Sequence, residues 1–423
     1  MSGILQSIRQ GPPWLPRLLV AVAAFNLSFG ILWVAYNLYL KALGYGEELA
    51  GYATAASSIA ALIFALPIGK LTDKWGAGPV LLVGLYLMSV GILLRGVAMV
   101  PLTVLATAFF SGALFEPLRH VVDPLLALGE EKSANRRFAF TFALGSTFTA
   151  LGTWLGGHLP EILSPHTSWL PGGLEVGGYQ ATFLLAGLVL PLAAWIASPL
   201  MDVHHGQGAR SQKENRLGLR QLLSRDNWAV GKYWLTMLPI GLGAGLSVPF
   251  MNLYLRNIHN LTDASVGNAF SIQQIVLVFA FFLGPWIANK IRATRGIVLL
   301  EVLSLPFLVT LAFTTSPLWA VVAFIARGAL MNASMPLGTR LLMTLSPPGS
   351  RGLSSAVVGM IWGLGFAVGP ALGGGWIEKS GYVGPFLLTA SLYLISLILF
   401  CLFFWNLKMA EESELPSPSE TIR

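Results

Sequence analysis

Apolar residues recur along this chain in blocks of about twenty, from Leu18 to Phe404, and short polar turns separate the blocks. The pattern predicts twelve helices, at roughly 17–40, 48–68, 79–100, 102–126, 135–159, 179–200, 230–255, 264–288, 296–315, 318–342, 352–376 and 382–406. At ~1.5 Å rise per residue, each is long enough to cross a ~30 Å hydrocarbon layer. Barrel strands would instead show ~10-residue segments of strict alternation. The connections are short, with two exceptions. Met201–Asn227 is polar and charged and divides the chain near its middle, and Glu161–Gly177 is rich in Pro, Gly and Ser. The expected organisation is therefore a six-helix bundle over 1–200, a linker over 201–227, a second six-helix bundle over 228–408 and an acidic, proline-bearing tail over 409–423. Such a tail buries too little apolar surface to fold alone and is expected to be disordered.

Composition turns these blocks into membrane spans. Of the 423 residues 55% are hydrophobic and only 11% charged, with a mean hydropathy of +0.69. A soluble domain carries roughly a quarter charged residues, so an all-α integral membrane protein is expected. The net charge of +7 then reflects basic loops on one side of a bilayer, not a nucleic-acid partner. The single Cys401 leaves no intramolecular disulfide and no cysteine-based metal site. The start, MSGILQSIRQGPPWLP, leads into a full-length span without a cleavable-signal pattern. With the N-terminus inside, twenty of the twenty-six Lys and Arg fall in or beside cytoplasmic segments, and reversing the topology inverts that ratio. Both termini and the central loop are expected in the cytoplasm, in a plasma (inner) membrane.

One polar stretch, GKLTDKWG at Gly69–Gly76, reads as a tight cytoplasmic turn that places Asp73 between Lys70 and Lys74. The halves also repeat. NLYL occurs at Asn37–Leu40 and at Asn252–Leu255, each followed by a basic residue, Lys41 or Arg256. An offset of 216 lays Gly51 on Gly267, Asp73-Lys74 on Asn289-Lys290 and Gly112-Ala113-Leu114 on Gly328-Ala329-Leu330. Further on, Gly178-Tyr179 matches Gly381-Tyr382. Two six-helix halves of like orientation point to a parallel-repeat transporter.

With these residues the chain resembles the major facilitator superfamily over all twelve helices. That family's loop motif is matched by Gly69, Leu71, Asp73, Lys74 and Gly76, although Ala77 and Gly78 replace the usual basic pair. The resemblance implies that Asp73 helps hold the halves together at the cytoplasmic gate. On helix 11, Gly365-x-x-x-Gly369-Pro370-x-x-Gly373-Gly374 resembles the glycine-proline motif that drug/proton antiporters carry on helix 5, where this chain has only Gly152, Gly156 and Gly157. Small residues four apart allow close helix packing, and the proline also allows a hinge.

Charges inside a bilayer cost ~3 kcal/mol each on insertion scales and so mark candidate sites. Helix 4 carries Glu116, Arg119, His120 and Asp123 on one broad face. Arg119 and Asp123, with Asp73 and Arg351, are read as gate residues. Glu116 is either a proton carrier or a static partner of Arg119. Arg327, near the midplane of helix 10, faces water, another helix or an anionic substrate group. Asn332 is the repeat mate of Glu116, and Glu301 is expected to pair with Arg340 or Arg351 at the rim. By the family analogy, Asn26, Trp33, Tyr36, Asn37, Trp234, Met237 and Asn252 are candidate cavity walls, with Gln273, Gln274 and Trp362 in a lower tier.

The expected function is secondary transport without cofactor or metal, by a monomer whose partners are a small organic solute, protons and membrane lipid. Proton-coupled efflux of an amphiphilic or weakly charged solute leads. Uptake of a nutrient by symport or facilitated diffusion, and a non-transporting receptor or scaffold, are the alternatives. No GxxxxGK[ST] loop is present, so ATP is not the expected energy source, and no catalytic cluster converges to suggest an enzyme.

Overall fold

The computed structural model describes residues 12–126, 131–202, 228–288, 290–347 and 350–407; within these, the side chains of Glu116, Arg119 and His120 are among those outside the description. The described residues form helices and turns without a strand. Twelve spans follow in order: α1 (Leu15–Ala42), α2 (Glu47–Trp75), α3 (Ala77–Val97), α4 (Pro101–Val121), α5 (Glu131–Leu163), α6 (Gly173–Ile196), α7 (Trp228–Asn257), α8 (Asp263–Ala288), α9 (Ala293–Phe313), α10 (Pro317–Leu345), α11 (Arg351–Ser380) and α12 (Val383–Phe404). Eleven are long and apolar enough to cross a membrane, and α4 contributes a shorter apolar stretch, Pro101–Phe115, before its charged residues begin. Alternation of direction puts the start of α1 and the end of α12 at one end of the bundle, here the terminal end. The opposite end, where α1 meets α2 and α7 meets α8, is the distal end.

The GKLTDKWG stretch is not a loop. The residues Leu71–Trp75 continue α2, the Gly76 N–H bonds the Thr72 carbonyl at 2.9 Å, and Gly76 alone makes the reversal into α3. Its φ of 91° and ψ of 158° suit a residue without Cβ. We expect Gly76→Ala to cost about 1–3 kcal/mol of stability through this strain, read as a lower unfolding temperature of the purified protein.

Two spans are broken by proline. In α7 the helix stops at Ser247, passes through a short 3-10 turn, Val248–Phe250, and resumes at Met251–Asn257. In α10 it stops at Ala333 and resumes at Met335, because Pro336 has no N–H and its ring crowds the preceding turn. Within each half, glycines bring backbones together. A Cβ on Gly369 of α11 would lie 2.7 Å from the Gly245 Cα of α7, so the helix 11 motif is a packing seam between those two helices. The same seam recurs between α1 and α5, where a Cβ on Gly152 would lie 3.0 Å from the Gly30 Cα.

Candidate functional site

The halves meet through side chains that the repeat brings together. Asn37 of α1 donates to the Pro249 carbonyl at 2.7 Å and to the Asn252 side-chain oxygen at 3.2 Å, while Asn252 donates to the Val34 carbonyl at 2.9 Å. The two NLYL asparagines are therefore buried against each other in the junction of α1 and α7. Above them, at the distal end, two acids cross between halves. Glu47, first residue of α2, accepts from Tyr382 at the start of α12 at 2.8 Å and from Asn257 of α7 at 2.7 Å. Asp263, first residue of α8, accepts from Tyr179 of α6 and pairs with Arg256 of α7 at 2.5 Å. The offset of 216 carries Glu47 onto Asp263, so each half supplies one acid and one tyrosine to a crossed pair of hydrogen bonds.

The arms of this latch differ in charge. Asp263 has Arg256 beside it, whereas Glu47 is held by neutral donors. Burial, and next the Glu47 carboxylate, raise the Tyr382 hydroxyl well above its ordinary range, which keeps it a donor. Burial likewise lowers His259, in the α7–α8 connection, and favours its neutral form beside the Tyr254 hydroxyl, 2.8 Å away. Glu378 of α11 is a third acid across the halves and accepts the Glu48 N–H at 2.8 Å, at the positive N-terminus of α2. These side-chain hydrogen bonds between halves all lie from the α1–α7 junction toward the distal end. At the terminal end, Gly69, Asp73, Lys74 and Arg351 are exposed.

In the terminal half of the second bundle lies a cavity of about 110 Å³, with walls that include Tyr233, Met237, Met331, Trp362 and Phe400. Its polar groups include Asn332, Ser334, Thr339 and Glu301. Glu301 does not reach Arg340 or Arg351. It is buried, and its described side-chain partner is the Ser334 hydroxyl at 3.3 Å. Ser334 lies at the α10 break and donates to that carboxylate from the neighbouring helix.

The other candidates fall into two groups. Met237, Asn332 and Trp362 line the cavity. Trp234 binds the Ser354 carbonyl at 3.3 Å, Asn26 binds within the seam of α1 and α5, and Gln273 reaches the Phe324 carbonyl at 3.2 Å. Arg327 is buried and donates to the Tyr393 hydroxyl at 2.7 Å. Trp33 stacks on Phe29 at 5.6 Å, and Tyr36 lies beneath the Arg95 guanidinium at 4.3 Å. Gln274 is half-buried and Asp123 opens a short helical turn after α4. The Glu116 and Arg119 side chains, Asn289, the central loop over 203–227 and the tail lie outside the described residues.

Several structural residues do not stand out in the sequence. The latch acids look like ordinary helix-start carboxylates, and nothing local joins them to the tyrosines. Arg95, close to the distal end of α3, is buried in the first half on the hydroxyls of Ser111 at 2.6 Å and Ser57 at 2.7 Å.

The model of the Major Facilitator Superfamily matches residues 18–243 and, a second time, 233–422. The chain belongs to that superfamily. It is a multi-pass membrane transporter, not an enzyme, and is built of two parallel six-helix repeats. The "Multidrug resistance protein MdtG" of Dickeya zeae (strain Ech586) is 25% identical over 418 residues, covering 94% of each chain. The "Multidrug resistance protein MdtH" of Blochmanniella pennsylvanica (strain BPEN) is 24% identical over 322 residues, covering 65% of this chain and 75% of its own. A solved bacterial homologue of the human lysosomal transporter Spinster, inward-facing and unoccupied, superposes with a TM-score of 0.71 at 16% identity, covering 93% of this chain and 97% of its own. That last likeness concerns the fold alone.

Proposed function

We propose that the protein exports amphiphilic or weakly charged organic solutes in exchange for protons, by alternating access of its two halves. The observation that carries this reading is the apolar, aromatic and methionine-walled cavity of the second half, open to few polar groups, in a conformation latched at the distal end. Walls of this kind suit solutes of varied shape, since methionine adapts and aromatic faces accept apolar or weakly cationic groups. The multidrug resistance names of the relatives agree with it. On this reading the distal end faces outward from an inner membrane and both termini lie in the cytoplasm. The latched conformation is then the inward-open one. In the opposite conformation Gly69, Asp73, Lys74, Gly76, Arg119, Asp123 and Arg351 close the cytoplasmic end. The unit that works is the monomer.

Glu116 is the proposed proton carrier, because a carboxyl at depth can be neutralised by a proton. Reconstituted protein should accumulate a labelled amphiphile in response to a pH gradient. Glu116→Gln should abolish that response and leave counterflow within about threefold, since exchange needs only a neutral site. Equal loss of gradient-driven flux and counterflow would assign Glu116 to static pairing with Arg119, and wild-type flux would remove it from the mechanism.

A further inference from the structure

Glu301 sits on α9, eight residues beyond its start, on the inner face of the second bundle. It is 7% exposed, and the Ser334 hydroxyl at 3.3 Å bonds one carboxylate oxygen. Glu301 is also one of the residues that line the cavity. Neighbours that feel its charge include Tyr233 on α7 and Tyr393 and Cys401 on α12, uncharged side chains in their ordinary forms. Arg327, the buried Arg or Lys among the described residues of this half, donates to Tyr393. A carboxylate so placed has exchanged water for apolar surroundings and is under-compensated. The cavity thus holds a carboxyl that is compensated either by a proton or by one positive charge from a ligand.

The walls indicate which kind of charge meets it. Tyr233, Trp362 and Phe400 offer aromatic rings and Met237, Met331 and Met335 offer thioethers around the same space. An ammonium carrying alkyl groups gains from the aromatic faces as well as from the carboxylate, whereas a hydrated metal ion would find few oxygens. The volume of about 110 Å³ admits a compact head group. The site is also one-sided. At the offset of 216, Glu301 falls on Leu85, which is fully buried and apolar, so the first half has no counterpart.

We propose that this cavity is a subsite for the alkylammonium head of an organic cation, with Glu301 as counter-charge and Ser334, positioned by the α10 break, as its support. The inference rests on the transport reading above and names the substrate class it would serve. Phenyltrimethylammonium and its uncharged isostere tert-butylbenzene test it, because the quaternary cation has no proton to give. Binding is followed by tryptophan fluorescence on the purified full chain. Wild type should bind the cation at least about tenfold more tightly than the isostere. Glu301→Gln should erase that preference while tert-butylbenzene affinity stays within about twofold, and Glu301→Asp should restore part of it. An unaltered preference in Glu301→Gln, an equal loss for both ligands, or no preference in wild type would each overturn the proposal. Gradient-driven export, measured in parallel, separates the two readings. Flux with an unaltered charge preference in Glu301→Gln overturns the subsite alone. A lost preference in a chain that moves no solute upholds the subsite and overturns the transport reading.

Discussion

Removing both latch hydroxyls, with Tyr382→Phe and Tyr179→Phe together, should open the distal end. Each substitution takes a donor from a carboxylate that carries a bond between halves, and losing a hydrogen bond to a charged group costs about 1–3 kcal/mol. Two such penalties, if additive, shift the balance of distal-closed to distal-open forms by about 2–6 kcal/mol, or at least thirtyfold. The change is measurable as the distance between spin labels at Lys41 and Lys379, exposed positions at the distal ends of α1 and α11, in a chain whose Cys401 is replaced by Ala. A longer-distance population should rise from minor to dominant, and solute flux should fall because the cycle stalls in one form. The single variants should differ. After Tyr179→Phe, Asp263 keeps Arg256, but after Tyr382→Phe, Glu47 keeps only Asn257. Tyr382→Phe should therefore have the larger effect. Distances unchanged in the double variant would show that the crossed bonds follow closure and do not hold it.

The twelve helices and their repeat are legible because bilayer thickness forces long apolar runs, and two related halves leave the same residues at fixed offsets. The repeated NLYL string picks out Asn37 and Asn252. Family analogy makes them cavity walls, but the structure buries both in the junction instead. The pattern does not reveal the course of the chain between spans or the direction of individual side chains. The GKLTDKWG stretch has Gly at both ends and looks like a turn, yet Leu71–Trp75 contains nothing that stops a helix. The break before Pro336 is written in the sequence, but its consequence, Ser334 aimed at Glu301, depends on how two helices face each other. Glu47 and Asp263 are hidden for a related reason. An acid in the first turn of a helix is common and stabilising on its own, so its tyrosine partner more than eighty residues away leaves no local trace.

The glycines between halves lead to the other large effect. At the distal end α5 and α8 touch through backbone: a Cβ on Gly157 would lie 2.5 Å from the Asp263 carbonyl oxygen and 2.7 Å from the Gly267 Cα. Neither can rotate away, so a side chain there must part the helices. Gly363 of α11 offers an internal control, because an added Cβ there meets the Cδ2 of Leu62, the mobile end of a side chain. Gly157→Val should cost the distal-closed form at least about 3 kcal/mol, more than a hundredfold in its population, while Gly363→Ala should cost less than about 1 kcal/mol. The same spin-label pair should report Gly157→Val as distal-open, with flux below one-hundredth of wild type on the order of that population change. The fold of each half should survive, since α5 and α8 belong to different halves; a monodisperse protein with wild-type helix content would confirm it. A Gly157→Val protein that keeps the short distance, and still transports, would show that α5 and α8 can slide past one another. The distal seam would then be a loose contact, and closure would rest on the side-chain hydrogen bonds between the halves.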